Sequence, residues 1–305
     1  MQDQDFDDAL EFAIELARRA GRMIRDASSN RNSHAADGTK KNSVDLVTET
    51  DQAVERFILS EIRSKYPDHK FIGEESYAAG EKVELTDEPT WIVDPIGTTN
   101  FVHQFDHVAV SIGFTYQQIP TIGVIYNPFL EKLYSARQGK GAFLNQHIRL
   151  PLSHPNEPLP LDSLSDAVIA VEWGSDRSKR AIDGKGDTFK KLTADGQEVK
   201  GGVMAHALRS IGSAALNYSY VASGSLDLYW EIGCCWDVCA GTIIAREAGA
   251  KVYGKAGKAF EPQDLMGHHF FVVRAIGDNN ETGETGEQAQ DRIAKQFFDT
   301  VVEWE

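Results

Sequence analysis

Residues 107–136 limit most strongly how this chain can fold. Val108, Val110, Ile112 and Phe114 alternate with small residues, the period of a strand with one face buried. Residues 121–126 and 132–136 read as the next two strands, with Asn127-Pro128 in the turn between them. Upstream, the short runs 70–73 and 91–93 also read as strands. Each leads straight into acid: Glu74-Glu75 after the first, Asp94 after the second.

Helical spacing frames these strands. Leu10, Ile14, Ala17, Gly21 and Ile24 predict an amphipathic helix over 7–27. Val54, Phe57, Ile58 and Ile62 predict a second over about 49–66, with Thr48 and Asp51 as a capping box and Pro67 as its stop. Between them, 28–41 is rich in Ser, Asn, Gly and Lys and is expected to be a mobile loop. Residues 150–166 hold four of the ten prolines and read as a hinge. Beyond it, strands over 168–172, 226–230 and 270–274 alternate with helices over 210–222, 236–248 and 288–302. The polar stretch 175–202 is expected to loop outward.

A chain of 305 residues can form one large domain, here with lobes over about 1–150 and 165–305. Its net charge of −15 repels nucleic acid and anionic lipid, so neither is an expected partner. Metal ions can still invert the local sign for an anionic substrate. No apolar run approaches the roughly 20 residues of a membrane helix. The opening M-Q-D-Q-D-F-D-D does not read as a signal or transit peptide. Cys234, Cys235 and Cys239 form an odd cluster, poor as a disulfide framework, so a reducing, cytoplasmic setting is expected. They read as core thiols rather than zinc ligands.

Four acids fall at element boundaries: Glu74 and Asp94 at strand ends, Asp51 and Asp237 in the first turns of helices. Taken singly, Asp51 and Asp237 also suit helix caps, and Glu74 and Asp94 suit turns. Taken together, they place hard oxygen donors where Mg²⁺ and a phosphate can share them. Gly97-Thr98-Thr99 would offer N–H groups and hydroxyls to a phosphate. The segment R-S-I-G-S-A-A-L-N, 209–217, offers a second small-residue approach at a helix start, or else tight helix packing.

These pieces resemble the inositol monophosphatase family. The matching runs are V-D-L-V-T-E-T-D (44–51), F-I-G-E-E-S (71–76), W-I-V-D-P-I-G-T-T-N-F-V-H (91–103), V-A-V-S-I-G (108–113), R-S-I-G-S-A-A-L-N and W-D-V-C-A-G (236–241), in the family's order. The resemblance implies an α/β protein, a layered α/β/α/β/α sandwich and a homodimer. It implies Mg²⁺-dependent hydrolysis of inositol monophosphate, or of a similar small phosphate monoester such as a nucleotide 3′-phosphate or sugar phosphate. By position, Glu74, Asp94, Asp237 and the Ile96 carbonyl match metal ligands. Thr98 and Asp51, with Glu74, match catalytic positions. Gly97, Thr98, Gly212, Ser213, Ala214, Glu231 and Asp237 match substrate contacts, and Lys40 and Asp45 match a mobile loop.

The chain departs from that pattern twice. The family reads D-P-x-D-G-T, whereas here Asp94-Pro95-Ile96 runs directly into Gly97. The absent aspartate is the one that contacts two metals. The run from Glu231 to Asp237 is also one residue short. A catalytically impaired, dimerising homologue is therefore the rival expectation.

Overall fold

The computed structural model describes residues 1–29, 38–39, 46–81, 84–152 and 158–302. The first helix, α1 (Asp3–Ser28), starts four residues before the sequence expectation because Gln2 and Asp5 close a capping box. It buries Ala9, Ala13, Leu16, Ala17, Ala20 and Ile24, a stripe at three- and four-residue spacing. A two-residue strand, β1 (Gly38–Thr39), pairs with β2 (Leu46–Val47). The remainder of the expected mobile loop, with Lys40 and Asp45, lies outside the described residues. Next comes α2 (Glu49–Lys65), capped by Thr48 and Asp51 as expected.

A seven-stranded sheet follows: β3 (Lys70–Gly73), β4 (Thr90–Asp94), β5 (Val110–Tyr116), β6 (Ile119–Asn127), β7 (Lys132–Arg137), β8 (Gly141–Leu144) and β9 (Ile148–Arg149) in that spatial order. Only the β3–β4 pair is parallel. Two short helices interrupt it, α3 (Glu74–Ala78) and α4 (Thr98–Val102). Glu74 thus opens a helix rather than closing a strand. The expectation of a half-buried strand over 107–115 also needs correction, since both faces of β5 are buried up to Thr115. Its large residues face α1 and α2, and its small ones face a second helical layer.

The second half builds a five-stranded sheet from β10 (Val168–Val171), β11 (Ala207–Arg209), β12 (Leu228–Ile232), β13 (Lys251–Tyr253) and β14 (His269–Val273), ordered β11-β10-β12-β14-β13. Its helices are α5 (Lys179–Thr193), α6 (Ala214–Ser223), α7 (Cys235–Glu247) and α8 (Gly286–Thr300). The helix α5 overturns the outward loop expected over 175–202. Its buried positions are Ala181, Gly184, Lys185, Thr188 and Leu192. The spacing is helical, but small and polar residues fill it, so apolar periodicity does not reveal it.

Three buried clusters stack these parts. One joins α1 and α2 to the seven-stranded sheet, a second places α6 and α7 between the two sheets, and a third joins α5 and α8 to the outer face of the five-stranded sheet. The result is the α/β/α/β/α sandwich. Close approach of α7 depends on two glycines. A Cβ on Gly113 would lie 2.6 Å from Cys239 Sγ, and one on Gly123 would lie 2.4 Å from the Ala240 carbonyl. Among the described residues, no helix is long and apolar enough to cross a membrane.

Candidate active site

The site begins where β3 and β4 end side by side. Gly73 pairs with Val93, so Glu74 and Asp94 leave adjacent parallel strands at the same level. Glu74 is set by α3, whose first N–H groups are gathered by Glu55 of α2. The Glu55 carboxylate accepts from Glu75 N at 2.7 Å, Ser76 N at 2.8 Å and Ser76 Oγ at 2.6 Å. Glu55 is 3% exposed, and its negative charge suits a helix N-terminus. Asp94 Oδ1 accepts from Ile96 N at 3.0 Å, closing the turn that leads to Gly97.

Asp51 and Thr98 meet. Thr98 Oγ1 donates to Asp51 Oδ1, while Asp51 Oδ2 takes the Thr48 hydroxyl and, at 2.9 Å, the Thr48 N–H. Asp51 is therefore both a cap and a partner of Thr98. Asp237 is likewise a cap: its Oδ2 accepts from Cys234 N at 2.7 Å. The Tyr77 and Trp236 rings, 5.1 Å apart, join α3 to the first turn of α7. Both Asp237 and Glu74 act electrostatically on the Cys234 thiol. Burial pushes all three thiols up, Cys235 to about 12. They are free cysteines, with Cys235 and Cys239 buried and Cys234 partly so.

A second group of site residues comes from the five-stranded sheet. Val171 pairs with Trp230 in parallel register, which puts Glu172 beside Glu231 at the strand ends. Glu172 Oε1 accepts from Ile211 N at 2.8 Å, Gly212 N at 3.0 Å and Asn217 Nδ2 at 2.8 Å. Its Oε2 takes the Ser210 hydroxyl at 2.8 Å. The Gly212 N–H thus faces Glu172. Ser213 caps α6, and Ala214 is its first residue. Asn100 ties this loop to α4, donating to the Ile211 carbonyl at 2.7 Å and the His107 carbonyl at 2.8 Å. Glu231 Oε2 is cut off from solvent and accepts no hydrogen bond from the described residues. Burial, then Asp237 and Glu172, push this carboxyl well above its ordinary range, against Lys185.

Sequence reasoning missed Glu55, Asn100 and Glu172. Each acts on backbone groups far along the chain, at separations of 20, 111 and 39 residues, and no local motif marks such a role. The metal expectation meets a limit. Among the described residues, no group of three or more His, Cys, Asp or Glu side chains is gathered as a metal ion requires. Hard carboxylates and a carbonyl suit Mg²⁺ chemically. Asp94 and Asp237 each give one oxygen to a backbone N–H, and the set as it stands is not gathered to fit the ion.

A family model described as "Inositol monophosphatase family" matches residues 5–297. The chain belongs to this family. Inositol monophosphatase 1 of Homo sapiens is 40% identical over 292 residues, covering 95% of this chain and 94% of the human one. The quinic acid degradation cluster protein x of Neurospora crassa is 38% identical over 330 residues, covering 97% and 94%. The solved inositol monophosphatase from Anabaena matches with a TM-score of 0.73 at 27% identity, covering 98% of each chain. Inositol monophosphatase family membership supports a phosphatase, and the family is in general magnesium-dependent.

Proposed function

We propose that the chain binds small phosphate monoesters of a cyclic polyol, inositol monophosphate first among them, and hydrolyses them slowly. The observation behind this reading is the Asp51–Thr98 contact, and the unsatisfied Glu231 acceptor supports it. A water held by Thr98 Oγ1 can lose its proton through that hydroxyl to Asp51 Oδ1 and attack phosphorus. Gly97 and Thr98 lie on the phosphate side, with Ser213 and Ala214 opposite. Gly212 shapes their loop, and Glu231 accepts from ring hydroxyls. Glu74, Asp94, Asp237 and the Ile96 carbonyl, which match the family's metal ligands by position, are one bridging carboxylate short of holding its magnesium. That shortage makes the hydrolysis slow. A cytoplasmic homodimer completes the proposal.

Phosphate release from inositol 1-phosphate, with and without Mg²⁺, tests the activity, and light scattering against the 33.7 kDa chain mass tests the dimer. Absence of release from every small ester, even at high enzyme concentration, overturns the hydrolase. The Neurospora relative favours a second reading, in which the ring bears a carboxylate as quinic acid does. Faster release from such an ester than from inositol 1-phosphate would select it.

A further inference from the structure

Lys185 is a buried charge that the proposed chemistry leaves unused. It lies on the inner face of α5, 8% exposed, and its ammonium donates to the Trp173 carbonyl just past the end of β10. Gly174, at φ +59°, makes room for it: a Cβ there would lie 3.3 Å from Lys185 Nζ and 4.0 Å from the Ile232 carbonyl. The ammonium therefore sits at the strand ends where Glu172 and Glu231 stand side by side. A cavity of about 20 Å³, lined by Glu172, Trp173, Lys185 and Trp230 among others, separates the two layers. That is room for about one water.

Two neighbouring carboxyls at the end of a sheet repel each other, and a buried carboxyl without a counter-charge is costly. Glu172 accepts from four donors in its loop hydrogen bonds, but Glu231 Oε2 accepts from none of the described residues. The charges acting on Lys185 are Glu231, Arg177, Asp176 and Glu172, and those acting on Glu231 are Asp237, Glu172 and Lys185. Four carboxyls thus face two cations. The local balance stays negative, which favours hydroxyl donors and disfavours a further carboxylate.

We propose that Lys185 sets the substrate range of the polyol end: its ammonium partly offsets the Glu172–Glu231 pair and holds Glu231 towards the ring hydroxyls, so the site takes an uncharged polyol, while the negative charge that remains rejects one bearing a carboxylate. This rests on the phosphate-ester reading above. Lys185 is a positioning residue acting through Glu231, and the carboxylated-ring alternative is the outcome it argues against.

Calorimetric binding of inositol 1-phosphate and of glycerol 2-phosphate, which lacks the ring, tests the assignment without relying on turnover. In Lys185→Met, affinity for the ring ester is expected to fall about tenfold relative to the ringless one, and in Lys185→Arg the ratio is expected to recover. In a Glu231→Gln background, Lys185→Met should no longer change the ratio, because the partner it acts through is gone. Equal weakening of both esters, or a ratio change that persists in Glu231→Gln, overturns the assignment. Competition on the unaltered chain needs no folded variant: myo-inositol should displace the ring ester and quinic acid should not. The reverse result overturns the selectivity. Failure of the unaltered chain to bind either ester overturns the phosphate-ester reading and this assignment with it. Binding of both with an unchanged ratio in Lys185→Met overturns the assignment alone.

Discussion

Asp94 and Asp237 each give an oxygen to a backbone N–H two or three residues away, and the residue that should stand between Ile96 and Gly97 is absent. One residue spans up to about 3.5 Å of chain, and a misplacement of roughly 1 Å in a reacting geometry costs about a hundredfold in rate. Inserting an aspartate between Ile96 and Gly97 should therefore raise kcat/KM on inositol 1-phosphate by about a hundredfold or more and tighten Mg²⁺ binding seen by calorimetry. Equal activity of the two chains would show that the bridging carboxylate is not what limits turnover. In that inserted chain, where turnover is measurable, Thr98→Val removes the hydroxyl that links water to Asp51. A loss of roughly 10²- to 10⁴-fold in kcat is expected. A loss confined to KM would place Thr98 in binding rather than proton transfer.

At the scale of elements, the seam between α7 and the seven-stranded sheet has no spare room. A side chain on Gly123 meets the Ala240 backbone, which a rotamer change cannot relieve. Gly123→Val should cost about 1–3 kcal/mol, read as a lower urea midpoint at constant slope. His69 supplies a pH test. Its Nδ1 accepts the Trp91 indole N–H at 3.1 Å, and its ring stacks on Tyr66 at 4.6 Å. Burial lowers its pKa, with Asp68 opposing. Between the lowered folded value and the ordinary 6.5, the unfolded chain binds more protons, so stability rises with pH there and falls as pH drops below 6.5. In His69→Gln that part of the slope should disappear from thermal melts at pH 5 to 7; an unchanged slope would assign it elsewhere. The same elements show what the sequence made legible. The capping box before α2 was a local signal that the structure bears out, whereas the alternation in β5 separates large from small residues on two buried faces and Glu74 opens a helix. The helix α5 was not legible, because Lys185 and Thr188 occupy its buried face. Glu55, Glu172 and Asn100 were not, because what they hold is backbone brought near only by folding.

For the whole molecule, charge is the property that reaches furthest. The chain carries −15 overall, and at the candidate cleft Glu172, Glu231 and Asp237 stand against Lys185 and Arg177. A phosphate ester approaching it is repelled at long range as well as in the cleft. That repulsion is screened over about 30 Å at 0.01 M salt and about 10 Å at 0.1 M. Binding of inositol 1-phosphate should therefore tighten as an inert monovalent salt rises across this range, the opposite of what a basic anion site does. The local balance at Glu231 changes little with salt, since buried charges are poorly screened, so the gain should be modest, about two- to fivefold in Kd. It should be the same for glycerol 2-phosphate, because both esters cross the same field. Calorimetric titrations at the two salt levels measure it. Affinity that falls with salt would mean that local cations, rather than the molecule's overall charge, govern the approach of the phosphate.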